Sequence, residues 1–294
     1  MDAVTRAQVA IVGGGPAGVA CIIWLHQLGF DAILIESAEQ LGGLQKLSPY
    51  LNSWAPGFWD MTGQDIARSL HEHALTAGCR ILLNSQVQRV SFSGGLFDLA
   101  LSGERRAEAP YLVLATGSRP RSDGFVPTRN VAIGPGAPME NLDVSGKNVA
   151  ILGGGDNAFD QAFFMLQRGA RSVKIFCRRQ PKAQKRMQAR IPPDLVCVGP
   201  FKADQQRMTV NDQTFDVFGV QFGYEAIIPQ GLDLSLRDGF IDVDRHGETS
   251  FKNVFACGDV TNFWQPCIMT ALAHGVQVAK TIALRIEAGV PSEP

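Results

Sequence analysis

The chain has 294 residues, 45% of them hydrophobic, and its 28 acidic side chains against 27 basic ones leave a net charge of −1. That length suggests two domains with a sizeable core, and the near-neutral balance argues against nucleic acid or an anionic membrane as an obligate partner. Six cysteines, scattered at 21, 79, 177, 197, 257 and 267, form neither a disulfide framework nor metal-ligand pairs, and the apolar runs are far too short to span a bilayer.

The opening residues Met1-Asp2-Ala3-Val4-Thr5-Arg6 carry no targeting signal and lead straight into a strand, so a cytoplasmic location is expected. The apolar run Val9-Ala10-Ile11-Val12 then meets Gly13-Gly14-Gly15-Pro16-Ala17-Gly18, which reads as strand, tight turn, helix. In such a turn the first glycine permits the bend, the second lets the backbone approach a pyrophosphate, and Gly18 lets helix pack on strand; the helix N-terminus offers amide donors to the anion. The next strand, Ala32-Ile33-Leu34-Ile35, ends on Glu36, 18 residues past Gly18. An acidic side chain at about that distance accepts hydrogen bonds from an adenosine ribose.

An amphipathic helix covers residues 66–73, and short alternating strands follow near 87–92 and 96–101. Tyr111-Leu112-Val113-Leu114 is a buried strand running into Ala115-Thr116-Gly117, the exit from the first domain. The turn pattern then repeats: Val149-Ala150-Ile151-Leu152 leads into Gly153-Gly154-Gly155-Asp156-Asn157-Ala158, with the small Ala158 in place of the last glycine. Two such turns imply two dinucleotides. The strand after the second turn ends differently, on Cys177-Arg178-Arg179. Guanidinium groups there grip a 2′-phosphate that an acid would repel, so the first site reads as FAD and the second as NADPH. Arg178, Arg179, Lys182, Lys185, Arg186 and Arg190 also form a local basic patch able to recruit an acidic protein.

Residues 249–259 read as another buried strand, ending on Gly258-Asp259, and a helix follows over about 266–287. Asp259 is placed to hold flavin ribityl hydroxyls, with the helix N-terminus aimed at the ring. His71 and His73 point to different sides of a helix and are expected at the surface, without metal. His274 is expected as an ordinary packed or solvated helix residue. Trp54, Phe58, Trp59, Phe263 and Trp264 either flank a planar cofactor or fill the core.

Together the two turns, Glu36, Leu41-Gly42-Gly43, Trp54-Ala55-Pro56-Gly57, Ala115-Thr116-Gly117, Cys177-Arg178-Arg179 and Phe255-Ala256-Cys257-Gly258-Asp259 resemble the low-molecular-weight thioredoxin reductases over nearly the whole chain. The resemblance implies an α/β protein of two Rossmann-like dinucleotide-binding domains. A discontinuous FAD domain (1–117 and 239–294) would enclose an inserted, shortened NADP(H) domain (118–238), usually in a homodimer. It also implies flavin contacts at Gly13, Gly15, Pro16, Ala17, Gly18, Glu36, Gly43, Leu44, Val87, Ala115, Thr116, Gly117, Gly258, Asp259, Cys267 and Ile268. NADPH contacts fall at Gly153, Gly155, Asp156, Asn157, Ala158, Arg178 and Arg179.

Three departures qualify the likeness. The Cys-x-x-Cys pair of those reductases is missing from residues 130–138, so the usual thiol–disulfide relay is unavailable. Pro266-Cys267 stands where the family has Arg-Gln; Pro266 suits the first helical position, and Cys267 near the positive helix end is a candidate redox thiol weighed against a structural role. The family's further Arg after the pair is gone, and residues 187–222 look short by a strand or two. The resulting expectation is an FAD-dependent enzyme that takes hydride from NADPH at flavin N5 and passes electrons to a non-dithiol acceptor, a ferredoxin or flavodoxin, a quinone or another molecule. In this it resembles the ferredoxin/flavodoxin–NADP reductases, though without their long C-terminal extension. Two alternatives stand beside it: a flavoprotein fed by a protein donor such as ferredoxin, and a non-catalytic flavin-binding partner or sensor.

Overall fold

The structure, a computed structural model, describes residues 4–289; the outermost residues of the two expected FAD segments, 1–3 and 290–294, lie outside the described residues. The chain divides into two compact units, one formed by residues up to Arg119 with those from Glu225 onward, the other by Pro120–Tyr224.

The first unit is built on a five-stranded parallel sheet in the order Val254–Ala256, Tyr111–Leu114, Val9–Val12, Ala32–Ile35, Arg80–Leu82. Its strands alternate between two cores because successive side chains leave opposite faces. Val9, Ile11, Ala32, Leu34 and Val113 join Val19, Ile22, Val278 and Ile282 beneath the helices Pro16–Gln27 and Ile268–Glu287. Ala10, Val12, Ile33, Ile35, Leu112 and Leu114 meet Val90, Phe97 and Leu99 of a four-stranded sheet on the other side. Covered on both faces, the strands read as continuous apolar runs.

The second unit repeats the plan. Its parallel sheet runs Val131–Ile133, Val217–Val220, Asn148–Leu152, Ser172–Cys177, Val196–Val198, with the helix Asp156–Gln167 against it and a small antiparallel sheet of three two-residue strands beside it. Residues 187–222, expected to be short beside the family's, are rich in brief strands. That stretch carries five strands, Val196–Val198, Ala203–Asp204, Thr209–Val210, Gln213–Thr214 and Val217–Val220, and three of them are too short to produce a readable alternation.

The chain leaves and re-enters the first unit through two short strands that pair with each other, Ser118–Pro120 and Tyr224–Ala226. The return lies well before the expected boundary at 238, because Ala226, Ile228, Leu232 and Leu234 already pack on the Val90–Phe97–Leu99 core. Residues 250–253 are turn and bend, so the expected strand 249–259 contracts to Val254–Ala256.

Candidate functional site

In each unit the Gly-rich turn follows the strand from which the chain order runs outward in both directions. Val9–Val12 lies between Ala32–Ile35 and Tyr111–Leu114, and Asn148–Leu152 between Ser172–Cys177 and Val217–Val220. The crevice beyond the carboxyl end of such a strand is where open parallel sheets bind ligands.

The first turn is cut to fit its own backbone on one side and left open on the other. A Cβ at Gly18 would lie 1.9 Å from the Gly13 carbonyl oxygen, so only glycine lets the helix sit this close to the strand. At Gly15, the residue capping the helix Pro16–Gln27, a Cβ would meet nothing nearer than the Gly43 Cα at 3.9 Å. Nothing in the protein demands glycine there; a ligand lying against the backbone would. Gly42 and Gly43 close over this turn, the Gly42 N–H donating to the Gly14 carbonyl (2.7 Å). The cradle therefore fits the pyrophosphate of FAD.

Glu36 is buried at the end of its strand and accepts from the Gly14 N–H at Oε2 (2.6 Å) and from the Ala38 N–H (2.8 Å) and Ser37 hydroxyl (3.1 Å) at Oε1. A carboxylate has about four acceptor positions, so three donors orient it and leave capacity for a ribose hydroxyl. Ala115 donates to the Val12 carbonyl (2.8 Å), the Thr116 hydroxyl donates to the Ile227 carbonyl, and the Gly117 carbonyl accepts from the Ile227 N–H (3.0 Å). Asp259 makes no hydrogen bond or ion pair among the described residues. Burial holds its carboxyl above the usual range. Leu44 is half-buried in the 3₁₀ turn Gly43–Leu47, and Val87 packs partly buried on the sheet core.

Several expected positions are corrected. The last helix starts at Ile268, with Cys267 as its N-cap, so Pro266 lies before the helix and is not its first residue. The Ile268 side chain is buried with Ala55 and Ile66, which leaves only its backbone to face a ring. Cys267 is exposed. Partial burial pushes its thiol up, but hydrogen bonds from the Thr270 side chain and the Thr270 and Met269 amides outweigh that and bring it below the ordinary cysteine value. Cys257 is fully buried and its thiol is pushed up to about 12. The core reading fails for Trp54, Trp59, Phe263 and Trp264, which are 78%, 83%, 41% and 55% exposed; Phe58 alone packs into a small core with Met61 and Leu272. His73 is exposed, but His71 is half-buried and accepts the Leu41 N–H at Nδ1 (3.3 Å).

His274 is buried, with its Nδ1 accepting the Gly258 N–H at 3.2 Å. It is the packed helix residue that the sequence allowed, on the apolar stripe Ala271, Gly275, Val278, Ala279 and Ile282; its bond to Gly258 was not foreseen. Burial takes its pKa down to about 4 from 6.5. The unfolded chain therefore binds this proton first, and stability that is complete above pH 6.5 falls as pH drops toward 4, by about 3 kcal/mol at 1.36 kcal/mol per unit. Urea midpoints of wild type and His274→Asn at pH 7 and 4.5 test this; an equal acid loss in both proteins contradicts it.

In the second unit, Gly155 caps the helix Asp156–Gln167 and a Cβ there would meet nothing within 4 Å, again a cradle shaped for something outside the chain. Ala158 is fully buried, as the helix–strand contact requires. The basic segment is tied onto this turn: Lys182 and Ala183 donate to the Gly154 carbonyl (2.8 and 3.1 Å), and the Asp156 carboxylate accepts from the Gln184 amide (2.7 Å). The paired arginines part company. The Arg178 guanidinium lies 4.9 Å from the Phe222 ring centre and 5.5 Å from that of Phe201, and its Nη1 is 3.5 Å from the Asp123 carboxylate. Arg179 is exposed and has no ion pair among the described residues. Arg190, in the same basic patch, pairs with Asp160 and covers Phe163.

Among the described residues no group of three His, Cys, Asp or Glu could hold a metal, and no helix is long and apolar enough to cross a membrane.

Residues 7–192 match the family described as pyridine nucleotide-disulphide oxidoreductase. The chain is 31% identical over 311 aligned residues to the ferredoxin–NADP reductase of Limosilactobacillus reuteri (strain DSM 20016), covering 93% of this chain and 90% of that protein. It is 22% identical to the thioredoxin reductase of Bacillus subtilis (strain 168), covering 95% of each. The crystal structure of Lactococcus lactis thioredoxin reductase superposes with a TM-score of 0.79 at 21% identity, over 97% of this chain and 100% of that one. This last likeness is one of fold. Family match, relatives and paired phosphate turns agree, and the chain belongs to the pyridine nucleotide-disulphide oxidoreductase family, a class of oxidoreductases whose members use FAD and NADPH.

Proposed function

We propose that this oxidoreductase carries electrons from NADPH through FAD to an acceptor that needs no protein dithiol, such as a ferredoxin, a flavodoxin or a quinone. The observation that carries this reading is the combination of two open phosphate cradles with the state of the cysteines: Cys21, Cys79, Cys177 and Cys257 are buried, Cys197 is half-buried, and Cys267 alone is exposed. Burial pushes the Cys177 thiol up to about 11 and Cys257 to about 12, so neither supplies a thiolate near neutral pH. The similarity to a ferredoxin–NADP reductase over most of both chains supports the same direction.

FAD, when bound, supplies hydride acceptance and one-electron transfer. The protein's part is binding, orientation and electrostatics. Gly13, Gly15, Pro16, Ala17 and Gly18 present backbone and helix N-terminus to the pyrophosphate, Glu36 accepts from ribose, and Asp259 accepts from a ribityl hydroxyl. Gly153, Gly155, Asp156, Asn157 and Ala158 do the same for NADPH, with Arg179 on its 2′-phosphate. The active species in this reading is a homodimer in the cytoplasm.

Anaerobic addition of NADPH to the yellow protein should bleach the flavin band rapidly. Absence of bleaching would favour a protein electron donor or an idle flavin module. Alkylating the reduced enzyme, or replacing Cys267 by Ser, should leave NADPH-driven reduction of a quinone dye unchanged. Disulfide turnover that is present in wild type and lost in Cys267→Ser would overturn the dithiol-free reading.

A further inference from the structure

His274, on the helix Ile268–Glu287, is a buried histidine that the proposed chemistry leaves idle. Its ring is 3% exposed and lies against Phe263, ring centres 5.7 Å apart. It lines a small crevice with Gly258, Asp259, Trp264, Thr270 and Ala271. Because Nδ1 accepts from the Gly258 N–H at 3.2 Å, the neutral ring carries its proton on Nε2. That Nε2 has no hydrogen-bond partner among the described residues.

We propose that His274 is a positioning residue for the flavin: its unprotonated Nδ1 fixes the Gly258 peptide and so aims the partnerless Asp259 carboxylate at the ribityl hydroxyls. The inference rests on the reading that Gly258-Asp259 holds FAD. Gly258 sits at φ +75, a conformation glycine shares with many others when nothing restrains it. The helix Ile268–Glu287 supplies the restraint, since it is locked against Pro16–Gln27 by Val278, Ala279 and Ile282 in one core with Val19 and Ile22. His274 transmits that fixed position to the strand end. A protonated ring could not accept the Gly258 N–H, and burial keeps it neutral down to about pH 4. The imidazole thus serves as a permanent acceptor at neutral pH.

The test is FAD titration of apoprotein at pH 7, followed by flavin fluorescence and well below the unfolding midpoint of each variant. His274→Asn keeps an acceptor near the Nδ1 position and should bind FAD within about threefold of wild type. His274→Leu keeps the bulk without the acceptor, leaves the Gly258 N–H unpaired, and should bind about ten- to a hundredfold more weakly. Leu binding as tightly as wild type, or Asn binding as weakly as Leu, overturns the positioning role. Wild-type apoprotein that takes up no FAD would instead remove the flavin reading itself. Should the Leu variant fail to fold, the wild-type tautomer decides: nitrogen-15 shifts must give an unprotonated Nδ1 and a protonated Nε2, and the opposite tautomer overturns the proposal.

Discussion

A Gly15→Val variant folds like wild type and purifies colourless. The first side-chain carbon has room in the protein, its nearest neighbour being the Gly43 Cα at 3.9 Å, but the side chain fills the space against which a pyrophosphate must lie. The expected loss is at least about a hundredfold in FAD affinity, at least roughly 2.8 kcal/mol at 1.4 kcal/mol per tenfold. Gly18→Ala is the contrasting control. Its Cβ would lie 1.9 Å from the Gly13 carbonyl oxygen, so helix and strand must separate and the fold itself loses stability, by about 1–3 kcal/mol for an overpacked contact. Thermal melts and flavin-to-protein absorbance ratios separate the two effects. A Gly15→Val protein that keeps a full complement of flavin would disprove the assignment of the first turn.

Arg179→Ala raises the NADPH Michaelis constant and leaves that for NADH nearly unchanged. A hydrogen bond to a charged group contributes about 1.5–3 kcal/mol, which corresponds to roughly ten- to a hundredfold. Arg178→Ala behaves differently. Its guanidinium is already engaged by Asp123 and the rings of Phe201 and Phe222, so its removal loosens the platform and affects both nucleotides alike. Steady-state kinetics with the two cofactors on both variants decide this, and equal losses from Arg179→Ala would sink its role as reader of the 2′-phosphate.

Both strand–turn–helix units were legible because a strand, three glycines and a helix start are written in adjacent residues, and Glu36 and the arginine pair stand at strand ends as expected. The division of labour between Arg178 and Arg179 was not legible. It depends on Asp123, Phe201 and Phe222, which lie 23 to 55 residues from Arg178 in sequence and which no local pattern links to it. The return of the chain at Tyr224 was hidden for another reason: Tyr224–Ala226 is three residues long, too short for an alternation to declare it. Trp54 and Trp59 were weighed as core residues on their hydrophobicity, yet they project from a loop in which Ala55 is buried and Phe58 only partly so. Large aromatic side chains do not by themselves reveal which way a loop turns.

The paired strands Ser118–Pro120 and Tyr224–Ala226 make the second unit an unbroken stretch of chain spliced into a unit that is itself in two pieces. On the ribosome the order of completion is then the reverse of the order of appearance. The first 119 residues emerge with Tyr111–Leu114 as a bare sheet edge, since its neighbour Val254–Ala256 has yet to be made, and an unpaired apolar edge invites pairing with other chains. The continuous second unit emerges whole and can fold as it leaves the tunnel. The helix Ile268–Glu287, which carries His274, arrives last of these elements, so the continuous second unit is complete before the first unit gains its final strand and helix.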